Sequence, residues 1–372
     1  MRKKILILFL LPLLCSACTV GRIIRHNIPG LNDYKHFPTH KAAKSAQTYQ
    51  FLRSEKDLAP DSIFTRPNKG KTFEQFLRGT NTVAFLIIRR DTILYENYLK
   101  GYSETSLVPS YSMAKSVTSI LIGCAIAEGL IGSIDEPIRQ YLPEMRAKDF
   151  DGVTIKDVLQ MTTGLKFSEG YANPFGSVAR LYYGANMRKF IRKARRKRKA
   201  GDNPNFAYKS GNSQILGAIL ERAIKKKYPQ MSITDYLAAK LWQPLGMEFD
   251  ASWSLDSRQH QMEKTFCCLN ACARDYAKIG QLYLQNGKWG DRQIVPADWV
   301  AQSTQVDERD GSAWFYQYQW WLPTRDGDFY ARGVLGQYIY VNPAKQLVIV
   351  RLGKGLGGIS WGGFFAQLAK SY

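Results

Sequence analysis

The sequence predicts an α+β fold in which one antiparallel sheet is built from both ends of the chain and flanked by helices. A mostly helical subdomain is inserted between the two sets of strands. Three observations carry this. Residues 82–88 are β-branched and apolar, Arg90-Asp91 reads as a turn, and residues 92–98 alternate, which together make a hairpin. Residues 130–300 are dominated by helical periodicity, with Gly164, Gly184, Gly201, Gly246 and Gly287 as punctuation. Strand character then returns over 313–322, 329–333, 337–341 and 346–351, with turns at Arg325-Asp326-Gly327 and Asn342-Pro343.

The elements follow in order. Residues 1–18 have the form of an export leader. Arg2, Lys3 and Lys4 precede an apolar stretch over 5–14 that is too short to span a bilayer. The stretch ends Leu14-Cys15-Ser16-Ala17-Cys18, which resembles a bacterial lipoprotein signal with Cys18 as the lipidated first residue. Cys15 stands where an aliphatic residue is usual, and plain cleavage near Ala17 is the alternative. Thr19 after the cysteine favours the outer membrane, facing the periplasm, by the sorting pattern of such lipoproteins. Residues 19–72 form an N-terminal extension without clear periodicity. Tyr49, Phe51, Leu52, Leu58 and Phe64 make it too apolar for a free linker. Residues 73–372 form one globular domain, ample for a large core.

Within that domain, helices are expected at 135–141, 154–161, 177–198, 213–227, 233–242, 273–286, 296–303 and 364–370. The formal charge of +21 becomes +18 on loss of Arg2, Lys3 and Lys4, since residues 1–17 carry no acid. The basic run over 188–199 is densest. Export and the lack of interleaved aromatics argue against nucleic acid. A solvated helix face is the plain reading, and anionic envelope surfaces are the alternative partner. Cys124 sits on an apolar helical face as a core residue. Cys267, Cys268 and Cys272 have the wrong spacing for a usual zinc site, so buried thiols or one disulfide are expected. No metal or cofactor is implied.

The chemistry is carried by Ser112-Met113-Ala114-Lys115, the chain's one S-x-x-K. Pro109-Ser110-Tyr111 resists helix. Val117, Ile120, Leu121, Cys124, Ile126 and Ala127 then repeat at helical spacing until Gly129. Ser112 therefore opens a helix, near free N–H groups and the positive end of its dipole. Lys115 lies one turn on, on the same face. A desolvated lysine can take the serine proton and make a nucleophile. The bland reading is a capping serine beside a solvated lysine.

Acyl transfer also needs an acid for the leaving group. His260 is the one histidine within the globular region and has no acidic partner or strained nucleophile turn beside it, so a Ser-His-Asp reading is weak. Tyr208-Lys209-Ser210-Gly211-Asn212 offers a loop tyrosine. Beside a cationic lysine its phenol is expected to lose its proton more easily. An ordinary buried tyrosine is the competing reading. Gly333-Val334-Leu335-Gly336-Gln337 enters an apolar strand, where a backbone N–H can pair with that of Ser112 as an oxyanion hole.

Order and flanks together resemble the serine β-lactamase and penicillin-binding protein superfamily. The likeness lies in its class C-like branch, near esterases and 6-aminohexanoate-dimer hydrolases, and spans residues 73–372. It rests on residues 110–116, 153–164, 208–217, 270–277 and 336–341. The resemblance implies a β-lactamase/DD-peptidase-like fold, Ser112 as acylated nucleophile, Lys115 as proton acceptor or relay and Tyr208 as base or acid. It implies the N–H groups of Ser112 and Gln337 as the oxyanion hole, with Gly336 beside them. Two departures stand out. The family's Y-x-N is Tyr208-Lys209-Ser210 here, leaving Ser210 or Asn212 to meet a substrate carbonyl. The K-T-G strand is Val334-Leu335-Gly336, without its cation, and Arg332 lies two residues earlier. The expected function is hydrolysis of a small or peptide-like amide or ester through acyl-Ser112. The alternatives are a feeble penicillin-binding-like sensor on the same fold, or an envelope-binding protein working through 188–199.

Overall fold

The computed structural model describes residues 19–26, 29–56, 58–60, 70–171, 173–197, 205–308 and 311–372. The leader with Cys18 and the end of the basic run lie outside the described residues. The N-terminal part contains α1 (Thr19–His26), β1 (Thr39–Ala42), β2 (Leu52–Arg53) and α2 (Phe73–Gly79). The hairpin β3 (Thr82–Arg89) and β4 (Thr92–Tyr98) is followed by β5 (Val108–Pro109) and α3 (Met113–Ala127). The helical insert holds α4 (Ile155–Leu159), α5 (Ser177–Tyr182), α6 (Met187–Lys193), α7 (Ser210–Lys227) and α8 (Ile233–Leu237). Then come β6 (Ala251–Ser254), β7 (Leu269–Ala271), α9 (Ala273–Leu284) and α10 (Ala297–Thr304). The chain closes with β8 (Tyr316–Gln317), β9 (Trp320–Trp321), β10 (Phe329–Gly333), β11 (Gln337–Asn342), β12 (Leu347–Gly353) and α11 (Trp361–Ala369).

The main sheet has eight strands in the order β8-β9-β10-β11-β12-β3-β4-β2. Its centre joins the two chain ends: Ile349 pairs with Ile87 and Val350 with Leu86. Pairing is antiparallel except between β2 and β4. Side chains alternate across the sheet, and both faces are covered. Leu86, Ile88, Val348 and Val350 join the large core beneath α3 and α9. Phe85, Ile87, Leu347 and Ile349 pack with Phe73, Trp361 and Phe365 of α2 and α11. This double burial explains why β3 reads as an unbroken apolar run. Full burial of each Leu or Ile is worth about 1.5–3 kcal/mol, so the sheet centre is a rigid base for the site. A second sheet, β1-β6-β7-β5, ties the extension to the loop before Ser112. No helix among the described residues is long and apolar enough to cross a membrane.

Four expectations are corrected. Residues 135–141 hold only one 3-10 turn, Ile138–Gln140, because Pro137 is extended and bridges to Thr154. Residues 177–197 form two helices, because Asn186 adopts extended backbone and caps α6 through Lys189 N. Residues 313–322 fold as two short strands around Tyr318 and Gln319, which take positive φ of 38° and 73°. The basic run is not one solvated face. Arg188 forms a bidentate pair with Glu221 at 2.6 Å, and Arg196 donates to the carbonyls of Thr163 and Asp149, while Lys189, Arg192, Lys193 and Lys197 are exposed.

Candidate active site

Helix α3 is apolar and buried nearly all round, so it runs through the core rather than along the surface. Ser112 is its N-cap, delivered by a tight turn in which Tyr111 has φ +46°. A tyrosine in the left-handed region is strained, and it is held there by burial and by its phenol donating to Gly30 O at 2.9 Å. Ser112 therefore sits on a fixed corner.

Lys115 is buried, and its Nζ donates to Ser112 Oγ at 2.9 Å and to Phe266 O at 2.7 Å. That carbonyl is itself fixed. Thr118 Oγ1 donates to Thr265 O at 3.0 Å, and Trp253 Nε1 donates to Lys264 O and Cys267 O, each at 3.0 Å. Burial pushes the Lys115 pKa down to about 7, with Glu169 opposing only in part. Burial thus favours a neutral amine near neutral pH, able to accept a proton.

Tyr208 comes from the loop before α7. Its ring packs over Lys115, whose Nζ lies 5.2 Å from the ring centre, and the phenol lies on the Ser112 side of the site. Tyr316 and Trp321 hold the ring from the other sides. The expected downward shift of this phenol is not what the structure gives. Burial and Glu169 raise its pKa, outweighing the Ser112 hydroxyl and the charge of Arg332. A phenol kept neutral can donate a proton, and an amine shifted downward can accept one.

The oxyanion strand also differs from expectation. Gly333 is the residue against Ser112: a Cβ there would lie 2.3 Å from Ser110 O and 3.1 Å from Ser112 N. Gln337 pairs with Gly333 across the β10–β11 ladder, and Gly336 ends the turn before it. Gly336 O accepts from Arg351 at 2.6 Å, and the Gln337 side chain spans Val334 O and Gly353. The 3-10 turn Val334–Gly336, with Leu335 at φ +62°, separates the two glycines. Gly333, which Val334 follows, is therefore the glycine of this strand that approaches Ser112. Arg332 is exposed, with its guanidinium 5.9 Å from the Trp321 ring centre.

Ser210 borders the same cleft, but its hydroxyl and N–H both donate to Glu169. Asn212 is buried and points elsewhere: its Oδ1 accepts from Thr163 Oγ1 at 2.8 Å. His260 meets Asn186 at 2.9 Å, not Ser112. Cys267 and Cys268 are joined as a disulfide beside the Phe266 carbonyl, and Cys124 and Cys272 are buried thiols whose pKa values are pushed up to about 12 by burial. Sequence reasoning missed Glu169, which sits in irregular chain with no motif around it. It also missed Phe266, which acts through a backbone atom and leaves no residue-type signal.

The beta-lactamase family profile matches residues 70–360. The chain is 27% identical over 301 residues to a 6-aminohexanoate-dimer hydrolase of Paenarthrobacter ureafaciens, covering 75% of this chain and 74% of that protein. A Bacillus anthracis structure, solved as a candidate 6-aminohexanoate-dimer hydrolase, superposes with a TM-score of 0.79 at 22% identity, covering 91% of this chain and 93% of that one. A family VIII carboxylesterase superposes with a TM-score of 0.61 at 15% identity, covering 87% and 99%.

Proposed function

We propose that this chain, which belongs to the beta-lactamase family, cleaves an amide or ester through an acyl-Ser112 intermediate. It is a serine hydrolase of the amidase or esterase type. The single observation carrying the finer reading is Lys115, a desolvated amine 2.9 Å from Ser112 Oγ. In acylation, neutral Lys115 takes the Ser112 proton while Oγ attacks the scissile carbonyl. The N–H groups of Ser112 and Val334 hold the oxyanion. Tyr208 passes its proton to the departing amine or alcohol and recovers one from Lys115. Water then adds to the acyl-enzyme, with Lys115 and Tyr208 taking its proton and returning it to Ser112 Oγ.

With Gly333 in the place of the family's strand glycine, Ala331 takes that of its lysine and carries no charge to meet a substrate carboxylate in that position. This favours an open-chain amide or ester over a β-lactam or a D,D-peptide. A serine-directed phosphonate is expected to label the wild type and not Ser112→Ala. Folded wild-type protein that resists the label sinks this reading, and the non-catalytic sensor then stands.

Export and lipidation at Cys18 are part of the same proposal and rest on the sequence of residues 1–18. Fatty-acid labelling in an envelope fraction, lost in Cys18→Ser, is the expected result. Soluble, unlabelled wild type would replace the anchor with simple cleavage near Ala17.

A further inference from the structure

Resting on the acyl-Ser112 reading, we propose that the cavity beside Ser112 takes an uncharged, apolar chain of the substrate, and that the N-terminal extension supplies part of its wall. The cavity measures about 440 Å³. Ile23 and Pro29 of the extension line it together with Val178, Tyr182 and Tyr183 of the helical insert and Leu335 of the turn after β10. None of its lining residues carries a charged side chain.

The chemistry of that lining selects the ligand. A carboxylate or ammonium entering it would lose its water and gain no counter-charge. An alkyl or aryl chain gains with each methylene buried. The two carboxylates bonded to its lining are already occupied: Glu169 accepts from Ser210 N at 2.8 Å and from the Tyr171 phenol at 2.9 Å, and Asp33 accepts from Tyr182 at 2.7 Å.

The extension is part of this wall by construction. Tyr182 donates to Asp33 Oδ2 at 2.7 Å, Tyr183 donates to His26 O, and Phe37 packs edge-on to Tyr182 with centroids 5.4 Å apart. Asp33 is buried, and its other oxygen accepts from Gly30 N at 3.0 Å. Gly30 O in turn takes the phenol of Tyr111, the strained residue before the nucleophile. The segment that looks peripheral in the sequence is therefore locked to both the pocket and the nucleophile turn.

The experiment measures kcat/KM of the full chain on p-nitrophenyl acetate, butyrate, hexanoate and octanoate. A parallel series of acetates with lengthening alcohols reports the other side of the scissile bond. One of the two series is expected to rise about 3–4-fold per methylene until the cavity fills. Ile23→Asp and Ile23→Trp, the first charging the wall and the second filling the space, are expected to lower the long-to-short ratio of that series at least tenfold. Either variant suffices if the other does not fold. Flat profiles in both series, with Ser112-dependent acetate turnover intact, overturn the pocket inference and leave the acyl-enzyme reading standing. An unchanged ratio in the Ile23 variants removes the extension from the wall. Acetate turnover that persists in Ser112→Ala, or no ester turnover at all, overturns the acyl-enzyme reading and this inference with it.

Discussion

Lys115 Nζ stands 2.9 Å from Ser112 Oγ, and among the described residues no carboxylate pairs with it. Its second bond goes to a neutral carbonyl, that of Phe266. Burial without a counter-ion disfavours the ammonium and brings the pKa down to about 7. The acceptor form grows as pH rises. Below about pH 7, kcat/KM on a neutral ester should therefore climb roughly tenfold per pH unit, then flatten above it. A plateau that persists down to pH 5 would show that Lys115 is not the group taking the proton.

The same burial sets a stability trend. The folded pKa of about 7 lies below the ordinary 10.5, so between those values the unfolded chain binds more protons than the folded one. Stability should rise with pH across that window and carry the full cost below about pH 7. Lys115→Met removes the charge while keeping the volume. It is expected to cut turnover by about 10²–10⁴. Its melting temperature should match or exceed that of the wild type at pH 7, and the advantage should shrink towards pH 10. Parallel thermal melts of the two proteins at these pH values measure it.

The parts of this molecule legible in the sequence are those written in periodicity. The β3–β4 hairpin, α3 and β10 emerge where their patterns end, because their apolar spacing matches strand or helix geometry directly. Ser112 and Lys115 were legible as a pair because helical spacing brings them to one face. The oxyanion glycine was not. Gly333 and Gly336 are both plausible strand glycines, and only the 3-10 turn between them decides which one meets Ser112. The pocket wall was hidden for a different reason. Ile23 lies on the short helix α1 and reaches the wall through long-range contacts, and no local pattern encodes those. The direction of the Tyr208 shift required its burial, since the neighbouring cation alone argues the opposite way.

Tyr208→Phe isolates the donor role. The ring contacts with Tyr316 and Trp321 survive the substitution, so the fold should hold. Loss of the phenol should slow amide cleavage by about 10²–10⁴. A p-nitrophenyl ester, whose leaving group needs no proton, should be hurt much less. Equal losses on the two substrates would make Tyr208 a positioning group rather than the acid.

Gly333→Ala tests the oxyanion strand. Its φ of −128° suits any residue, so backbone strain is not the issue. The obstacle is contact, 2.3 Å from Ser110 O, with backbone that cannot rotate away. Stability should fall by about 1–3 kcal/mol in urea. The rate constant kcat should fall by about 10²–10³ as the Val334 N–H shifts. A fully active Gly333→Ala would move the oxyanion donor away from this turn.

Arg351 is completely buried, and no carboxylate among the described residues pairs with it. Its guanidinium donates to Thr82 Oγ1 at 3.1 Å, Gly336 O at 2.6 Å, Thr80 O at 2.8 Å and Gly355 O at 2.9 Å, while lying 3.9 Å from the centre of the Trp361 ring. The fork thus pins the far end of the oxyanion turn to the start of β3 and to the loop after β12. A lysine offers one charge point where four divergent acceptors need a planar fork. Arg351→Lys should leave buried carbonyls without donors and cost about 2–4 kcal/mol in denaturant titrations. Because Gly336 O is among those released, the turn carrying Val334 loosens, and kcat should fall while KM changes little. A loss of stability with kcat intact would confine Arg351 to holding the sheet together.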